Sequence, residues 1–226
     1  TNLKIQWKKS IMDRKSKKMP DTLPINSDLL LISGYYLAEG YVRDRQITFT
    51  FNKKETNYVH DIQSISQSIF GLATKTALRE DKNTIDVTIY SSQLARLFER
   101  WFGNGALHKS IPPLMMLLPS IKQKYLLKGL WRGDGYIGTK KAGYKTISVV
   151  LKEQIKMLLL RQGIVPSISE NKAYGMHKTS YNLEICGVQN LNALKLLFDQ
   201  EHTRSFVNRQ RYVISKTHVF LPIRKI

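Results

Sequence analysis

A single cysteine, Cys186, stands in the 226 residues, which excludes an internal disulfide and any thiolate zinc cluster and fits a reducing, intracellular setting. The five histidines, His60, His108, His177, His202 and His218, are too scattered for a zinc motif. No run of about 18 apolar residues occurs, so a membrane-spanning helix is excluded. Residues 1–26 also lack the apolar block of a secretory signal. Acids are scarce as well. Seventeen Asp and Glu face 36 Lys and Arg, a formal charge of +19, and such a field points to a polyanion, nucleic acid rather than lipid. With 42% apolar residues the chain has ample material for a core, as one large domain or two small ones.

Much of the charge lies at the ends. Residues 1–20 carry seven basic side chains (Lys4, Lys8, Lys9, Arg14, Lys15, Lys17, Lys18) against Asp13. Residues 203–226 carry six (Arg204, Arg209, Arg211, Lys216, Arg224, Lys225) and no acid. Such blocks are solvated tails or phosphate-contacting arms. The apolar residues set among them (Trp7, Phe206, Tyr212, Val219, Phe220) favour docking onto something. Pro20 and Pro24 mark the first arm, residues 1–26, as a piece separate from the rest of the chain. The chain begins at Thr1 rather than Met, which suggests excision from a longer polypeptide.

Between residues 27 and 202 one order of elements occurs twice. Asn26 or Ser27 can cap a helix carrying Asp28, Leu29, Leu30, Ile32, Ser33 and Leu37 to a stop at Gly40. In 45–52, Ile47, Phe49 and Phe51 alternate with Gln46, Thr48, Thr50 and Asn52, the pattern of a strand with one wet face. A helix over 55–70 ends at Gly71, strands at 73–80 and 84–90 are joined by Asp81-Lys82-Asn83, and a helix over 91–102 closes the first half, 27–105. After a linker with Gly103, Gly105 and Pro112-Pro113, the second half, 106–202, repeats the plan. Its helix covers 120–133, a strand 144–150, a helix 151–162, strands 165–171 and 179–186, and a helix 189–198. Each half predicts an antiparallel sheet, apolar against its helices and polar outward.

The first helix of each half ends alike, in Gly34-Tyr35-Tyr36-Leu37-Ala38-Glu39-Gly40 and Gly129-Leu130-Trp131-Arg132-Gly133-Asp134-Gly135. Gly34 and Ala38 share one helix face, as do Gly129 and Gly133, so the two backbones can pack without intervening side chains. The carboxylates of Glu39 and Asp134 then meet. An acid at a helix C-terminus opposes the dipole, at a cost of a few tenths of a kcal/mol to about 1. Two side by side repel further. A divalent cation between them explains the arrangement most simply, and oxygen ligands favour Mg²⁺ or a similar hard ion.

These motifs resemble the single-chain, two-motif LAGLIDADG homing endonucleases over residues 24–202. Leu30 to Gly40 and Leu126 to Gly135 match the two motif helices, and Lys109-Ser110-Ile111-Pro112 is similar to a run in the family's intein-borne members. The resemblance implies an α+β fold of two pseudo-symmetric αββαββα halves, packed through the motif helices, with paired sheets straddling DNA. It implies a monomer without an obligate protein partner that cuts both strands of a long duplex target and leaves short 3′ overhangs. Glu39 and Asp134, with Gly40 and Gly133 beside them, would form the metal site for Mg²⁺ or Mn²⁺, while Ca²⁺ would bind without supporting cleavage. The family places a basic residue near each scissile phosphate. Lys53 fits that position in the first half, and Lys145 or Lys152 in the second.

Base reading would fall to Gln46, Thr48, Thr50, Asn52, Lys75, Arg79, Asp86 and Thr88 in the first sheet and to Ser167, Ser169, Ser180, Asn182 and Glu184 in the second, with Lys109 also at the DNA. The C-terminal Phe220 to Ile226 is similar to the strand by which intein endonucleases rejoin their splicing domain, yet no splicing nucleophile accompanies it. An intein-borne origin is favoured slightly over an intron-encoded one. A second reading is a non-cleaving relative, an RNA maturase or DNA-binding regulator, from which the retained acid pair distinguishes this chain. A basic ribosomal or other RNA-binding protein would explain the charge but not the paired helix ends.

Overall fold

The computed structural model describes residues 4–6, 19–175, 177–198, 213–215 and 218–220. Most of the two basic ends, including Trp7, Phe206, Tyr212 and residues 221–226, therefore lies outside the described residues. A short pair, β1 (Lys4–Gln6) with β2 (Thr22–Pro24), precedes the first half. That half runs α1 (Ser27–Glu39), β3 (Gly40–Arg43), β4 (Gln46–Asn52), α2 (Thr56–Phe70), β5 (Thr74–Arg79), β6 (Thr84–Ile89) and α3 (Ser92–Phe102). The short α4 (Pro113–Met116) stands in the linker. The second half runs α5 (Ser120–Asp134), β7 (Gly135–Ile137), β8 (Lys141–Thr146), α6 (Val149–Arg161), β9 (Ser167–Asn171), β10 (Ser180–Cys186) and α7 (Val188–Leu197). A last pair, β11 (Val213–Ile214) with β12 (Val219–Phe220), lies beyond it.

The two halves have one topology, each with an antiparallel four-stranded sheet, in the orders β3-β4-β6-β5 and β7-β8-β10-β9. This is the expected α+β architecture of paired αββαββα units. Ile47, Phe49, Phe51, Val87 and Ile89 line the inner face of the first sheet, against Ile62 and Ile69 of α2 and Leu94 and Phe98 of α3. Ala142, Tyr144, Leu183 and Ile185 do the same in the second, against Leu151, Ile155 and Leu158 of α6 and Leu191 and Leu194 of α7. The helix starts are set by side chains that satisfy otherwise unpaired amides. Asn26 accepts from Leu29 N–H at 3.0 Å, Ser91 from Leu94 N–H at 3.2 Å and Ser148 from Leu151 N–H at 3.1 Å.

Helix α1 is buried on all sides from Leu29 to Leu37 apart from Leu31, as an element enclosed between two halves must be. Its neighbour is α5, and the approach is close enough that backbone meets backbone. A Cβ placed on Gly34 would lie 2.8 Å from Gly129 Cα, and one on Gly129 would lie 2.8 Å from Gly34 Cα. One turn later Gly133 meets the Ala38 methyl. A second tie is polar. Arg132 of α5 donates to Asp61 Oδ2 on α2 at 2.6 Å and to the Tyr35 hydroxyl at 2.8 Å, and Tyr35 donates to Asp61 Oδ2 at 2.8 Å.

Several boundaries differ from expectation. Strands β3 and β7 follow the motif helices with no loop, and three or four residues are too few to display a period of two. Arg45, expected to open a strand, lies instead in the β3–β4 turn, where Asp44 and Arg45 both have positive φ (49° and 65°). Val149 and Val150, expected at a strand end, open α6 because Ser148 caps it. The 1–26 arm is not wholly separate, since Met19, Leu23 and Ile25 are buried in the core.

Because the helix contact leaves no room for a side chain, Gly34→Ala should destabilise the fold by about 1–3 kcal/mol, read as a lower urea midpoint. An unchanged midpoint would mean the two backbones stand further apart.

Candidate active site and nucleic-acid interface

Glu39 and Asp134 are the last residues of α1 and α5, so the packing that brings Gly34 against Gly129 carries both carboxylates to one end of the helix pair. A Cβ on Gly133 would lie 2.8 Å from Glu39 Cγ and 3.6 Å from its Oε1, so the Glu39 side chain rests on the residue preceding Asp134. Protein packed around Glu39 penalises its charge, and the neighbouring Asp134 adds repulsion. Together they push its pKa up to about 7. Asp134 opens to solvent on one side, yet the surrounding protein raises its pKa to about 6, against the pull of Lys109 and of the Tyr144 hydroxyl, which donates to Oδ2 at 3.4 Å.

Lys109 lies elsewhere than expected. Rather than meeting DNA it is 5% exposed, and its ammonium donates to the carbonyls of Tyr36 at 2.7 Å and Ala38 at 3.2 Å, in the last turn of α1. That helix has no basic residue of its own there, so the linker supplies the cation its dipole and acid call for. Burial lowers the Lys109 pKa to about 8, while Asp134 and Glu39 work to raise it. No periodicity marked this role. The one signal was the Lys109-Ser110-Ile111-Pro112 run itself.

A cavity of about 260 Å³ beside Asp134 is lined by Ala38, Lys109, Lys145 and Thr146, among others. Lys145 thus opens onto the same space as the second carboxylate. Lys152 does not line it. Its ammonium stands 3.0 Å from Glu153 Oε1 and 4.3 Å over the Tyr181 ring. Lys53 is exposed in the turn after β4, its amide bonded to the Asn83 carbonyl at 3.0 Å. A second cavity, at Gly133 and Gly135, is lined also by Glu55, Lys128 and Arg132, and Lys53 is not among its lining residues. Gly40 and Gly133 act through size. A Cβ on Gly40 would strike Tyr36, and one on Gly133 would strike Ala38 and Glu39. Among the described residues no three His, Cys, Asp or Glu side chains come together. A pair of carboxylates suits a hard ion that keeps water and phosphate oxygens as its other ligands.

The strand register places the expected base readers on common faces. In the first sheet Thr48 stands opposite Thr88, which faces Lys75; Thr50 stands opposite Asp86; and Asn52 stands opposite Thr84, which faces Arg79. Several of these groups satisfy one another. Thr48 and Thr88 hydroxyls are 3.1 Å apart, Thr50 donates to Asp86 Oδ1 at 2.8 Å, and Arg79 Nε donates to Asp86 Oδ2 at 2.6 Å. Thr48, Asp86 and Thr88 are accordingly buried, a correction to their expected place at an open face, while Gln46 is half-buried and Asn52, Lys75 and Arg79 remain exposed. In the second sheet Asn182 stands opposite both Lys145 and Ser169, and Glu184 opposite Ser167. Ser180 is buried, Ser167 and Ser169 are exposed, and Glu184 stands 3.4 Å from Lys141.

Residues 122–197 match the family model of a LAGLIDADG-like domain. The fold is that of the homing endonuclease I-DmoI, solved in complex with DNA and Mn, with a TM-score of 0.58 at 13% identity, covering 79% of this chain and 99% of that one. Full-length WhiA from Thermatoga maritima shares it with a TM-score of 0.56 at 12% identity, over 78% of this chain and 56% of that one. By sequence, the chain is 27% identical to the ATP-dependent DNA helicase Hel308 of Thermococcus kodakarensis over 93% of its own length but 20% of the helicase. It is 28% identical to an uncharacterized protein of Methanocaldococcus jannaschii over 68% of its length and 19% of that protein. The chain thus spans about a fifth of the length of these relatives. Among the described residues no helix is long and apolar enough to cross a membrane.

With its pKa raised from 4.5 to about 7, Glu39 holds a proton in the folded state that the unfolded chain has lost between those pH values. Metal-free stability therefore falls as pH rises through that window. Glu39→Gln should melt a few degrees above the parent near pH 8, by on the order of 1 kcal/mol, and lose that advantage near pH 4. Equal melting points at both pH values would deny that the site strains Glu39.

Proposed function

We propose that this chain, a LAGLIDADG-fold protein, is a site-specific DNA endonuclease that cuts both strands of a long duplex target with a divalent metal and leaves short 3′ overhangs. The observation that carries the reading is the convergence of Glu39 and Asp134 at one end of α1 and α5, each held at a raised pKa. WhiA has the same fold, so the fold alone does not decide between cutting and binding; the acid pair favours cutting. Two carboxylates whose charge burial disfavours gain most from a cation, and oxygen donors alone select a hard one.

Glu39 and Asp134 would hold Mg²⁺ or Mn²⁺, with Ca²⁺ expected to bind without supporting cleavage. Once bound, the metal would supply an activated water and charge neutralisation at phosphorus. The rest falls to the chain itself. Lys145, on the Asp134 side, places a mobile ammonium where a scissile phosphate would gain charge, while Lys109 holds the carbonyl end of α1 and limits repulsion between the acids. The exposed residues of the two outer sheet faces read the groove, with Arg79 held in place by the buried Asp86. Because one chain supplies both carboxylates, a monomer completes the site.

The relatives also bear on where such a protein resides. A helicase, SufBD-family iron–sulfur assembly proteins of mycobacteria and the DNA polymerase II large subunit share no activity, and the matched part is 20%, 19% and 8% of each. A match to a minor part of each differently named protein supports a module inserted into a host, and with it the intein-borne origin.

Selection from a random duplex library, with and without Mg²⁺, should yield a cleavable target. On that target Glu39→Gln or Asp134→Asn should lower cleavage by about 10²–10³-fold or more while binding in Ca²⁺ stays unchanged. Cutting at the parent rate by both variants overturns the site. Lys145→Met should slow cleavage comparably, whereas Lys152→Met should stay near the parent; the reverse order would move the role to Lys152.

A further inference from the structure

We propose that the far rim of the second sheet is a binding site for successive backbone phosphates of one strand of duplex DNA, with no equivalent in the first half. The inference rests on the DNA-binding part of the function proposed above. A cavity of about 500 Å³ is lined by Lys145, Asn171, Lys172, His177, Lys178 and Ser180. Lys145 and Ile147 also line the cavity beside Asp134, so the two spaces adjoin. A basic track therefore leads from the second carboxylate along the sheet to the tip of the β9–β10 hairpin.

The two arms are joined by hydrogen bonds short of that tip. Tyr174 and His177 exchange amide-to-carbonyl hydrogen bonds of 3.2 and 3.0 Å, and the Ala173 amide donates to Thr179 Oγ1 at 3.2 Å. Lys172 and Lys178 are thus carried on the two facing arms, and no acid is among the residues that line the cavity with them. Three lysines lining one concave space, with no acid among its lining residues, suit an anion of repeating charge.

The first half differs at the same place. Its β5–β6 connection is a 3₁₀ turn over Glu80–Lys82, and the adjoining turn after β4 holds Lys53, Lys54 and Glu55. Lys53, Lys54 and Lys82 are offset there by Glu55, Glu80 and Asp81, and Arg79 is engaged by Asp86. The first half can read bases but has little surplus charge at its rim for phosphate. The second half is thereby the one that anchors the duplex.

The test is fluorescence anisotropy with a random-sequence duplex in Ca²⁺ buffer across about 50–200 mM salt. The double variant Lys172→Ala/Lys178→Ala removes two phosphate contacts and should flatten the slope of log affinity against log salt by about 1.8. Lys156→Ala/Lys195→Ala, equal in charge but on α6 and α7, should leave the slope at the parent value. Thermal melting of both doubles at the parent temperature shows that the fold is kept. Equal slopes for the two doubles overturn this site while leaving DNA binding intact. A parent chain that does not bind the duplex overturns the DNA reading and the site together. Should the hairpin double misfold, the reversal Lys172→Glu alone must weaken binding more than Lys156→Glu does at low salt, and an equal loss overturns the site.

Discussion

Everything in this molecule is arranged around two helix backbones in contact. Where Gly34 faces Gly129 there is no space for even one methyl group, and that closeness fixes where α1 and α5 end. Their ends place Glu39 and Asp134 side by side. Each sheet then hangs from its own motif helix through a strand that starts at once, β3 from Gly40 and β7 from Gly135. Position is transmitted from the contact to the sheets with no flexible joint between. The proposed cleavage would need such rigidity, because small displacements of a reacting group cost large factors in rate.

The same geometry creates an electrostatic problem. Two carboxylates at the negative ends of two helices, partly removed from water, are unfavourable in every respect: dipole, mutual repulsion and desolvation. Lys109 gives part of the answer from outside the helices, reaching in from the linker to the carbonyls of Tyr36 and Ala38. It leaves both acids with raised pKa values, so the compensation is incomplete. On the proposed reading, this residual strain is what a bound cation would relieve.

The pseudo-symmetry is one of plan, and charge breaks it. Arg132 ties α5 to Asp61 of α2, while the matching position on α1 is Leu37. Lys145 lies at the sheet position that Thr50 holds in the first half, by the pairings Gly40 with Phe49 and Gly135 with Tyr144. A lysine that opens onto the cavity beside Asp134 in one half, and a threonine bonded to Asp86 at the matching place in the other, make the two halves chemically distinct.

Much of this was legible in the sequence. Alternation in Gln46 to Asn52 and in Ser180 to Cys186 fixed the sheet faces, because a strand cannot turn one residue without turning them all. The cap at Asn26 set the start of α1 locally, whereas the cap at Ser148 went unread and its helix was expected two residues late; the glycine spacing of the motif helices foretold a close contact, since only glycine leaves such room. The sequence did not reveal that Thr48 and Thr88 bond each other and are buried, that Arg79 is engaged by Asp86, or that Lys109 turns inward. Nor did it choose between Lys145 and Lys152. Thr48 with Thr88 and Lys109 with α1 depend on partners distant in the chain, and Arg79 with Asp86 depends on the register of the β5–β6 hairpin. A residue's own neighbours determine which way its backbone runs, but whether its charge meets solvent, an opposite charge or a helix end is decided only when the remote segments have packed.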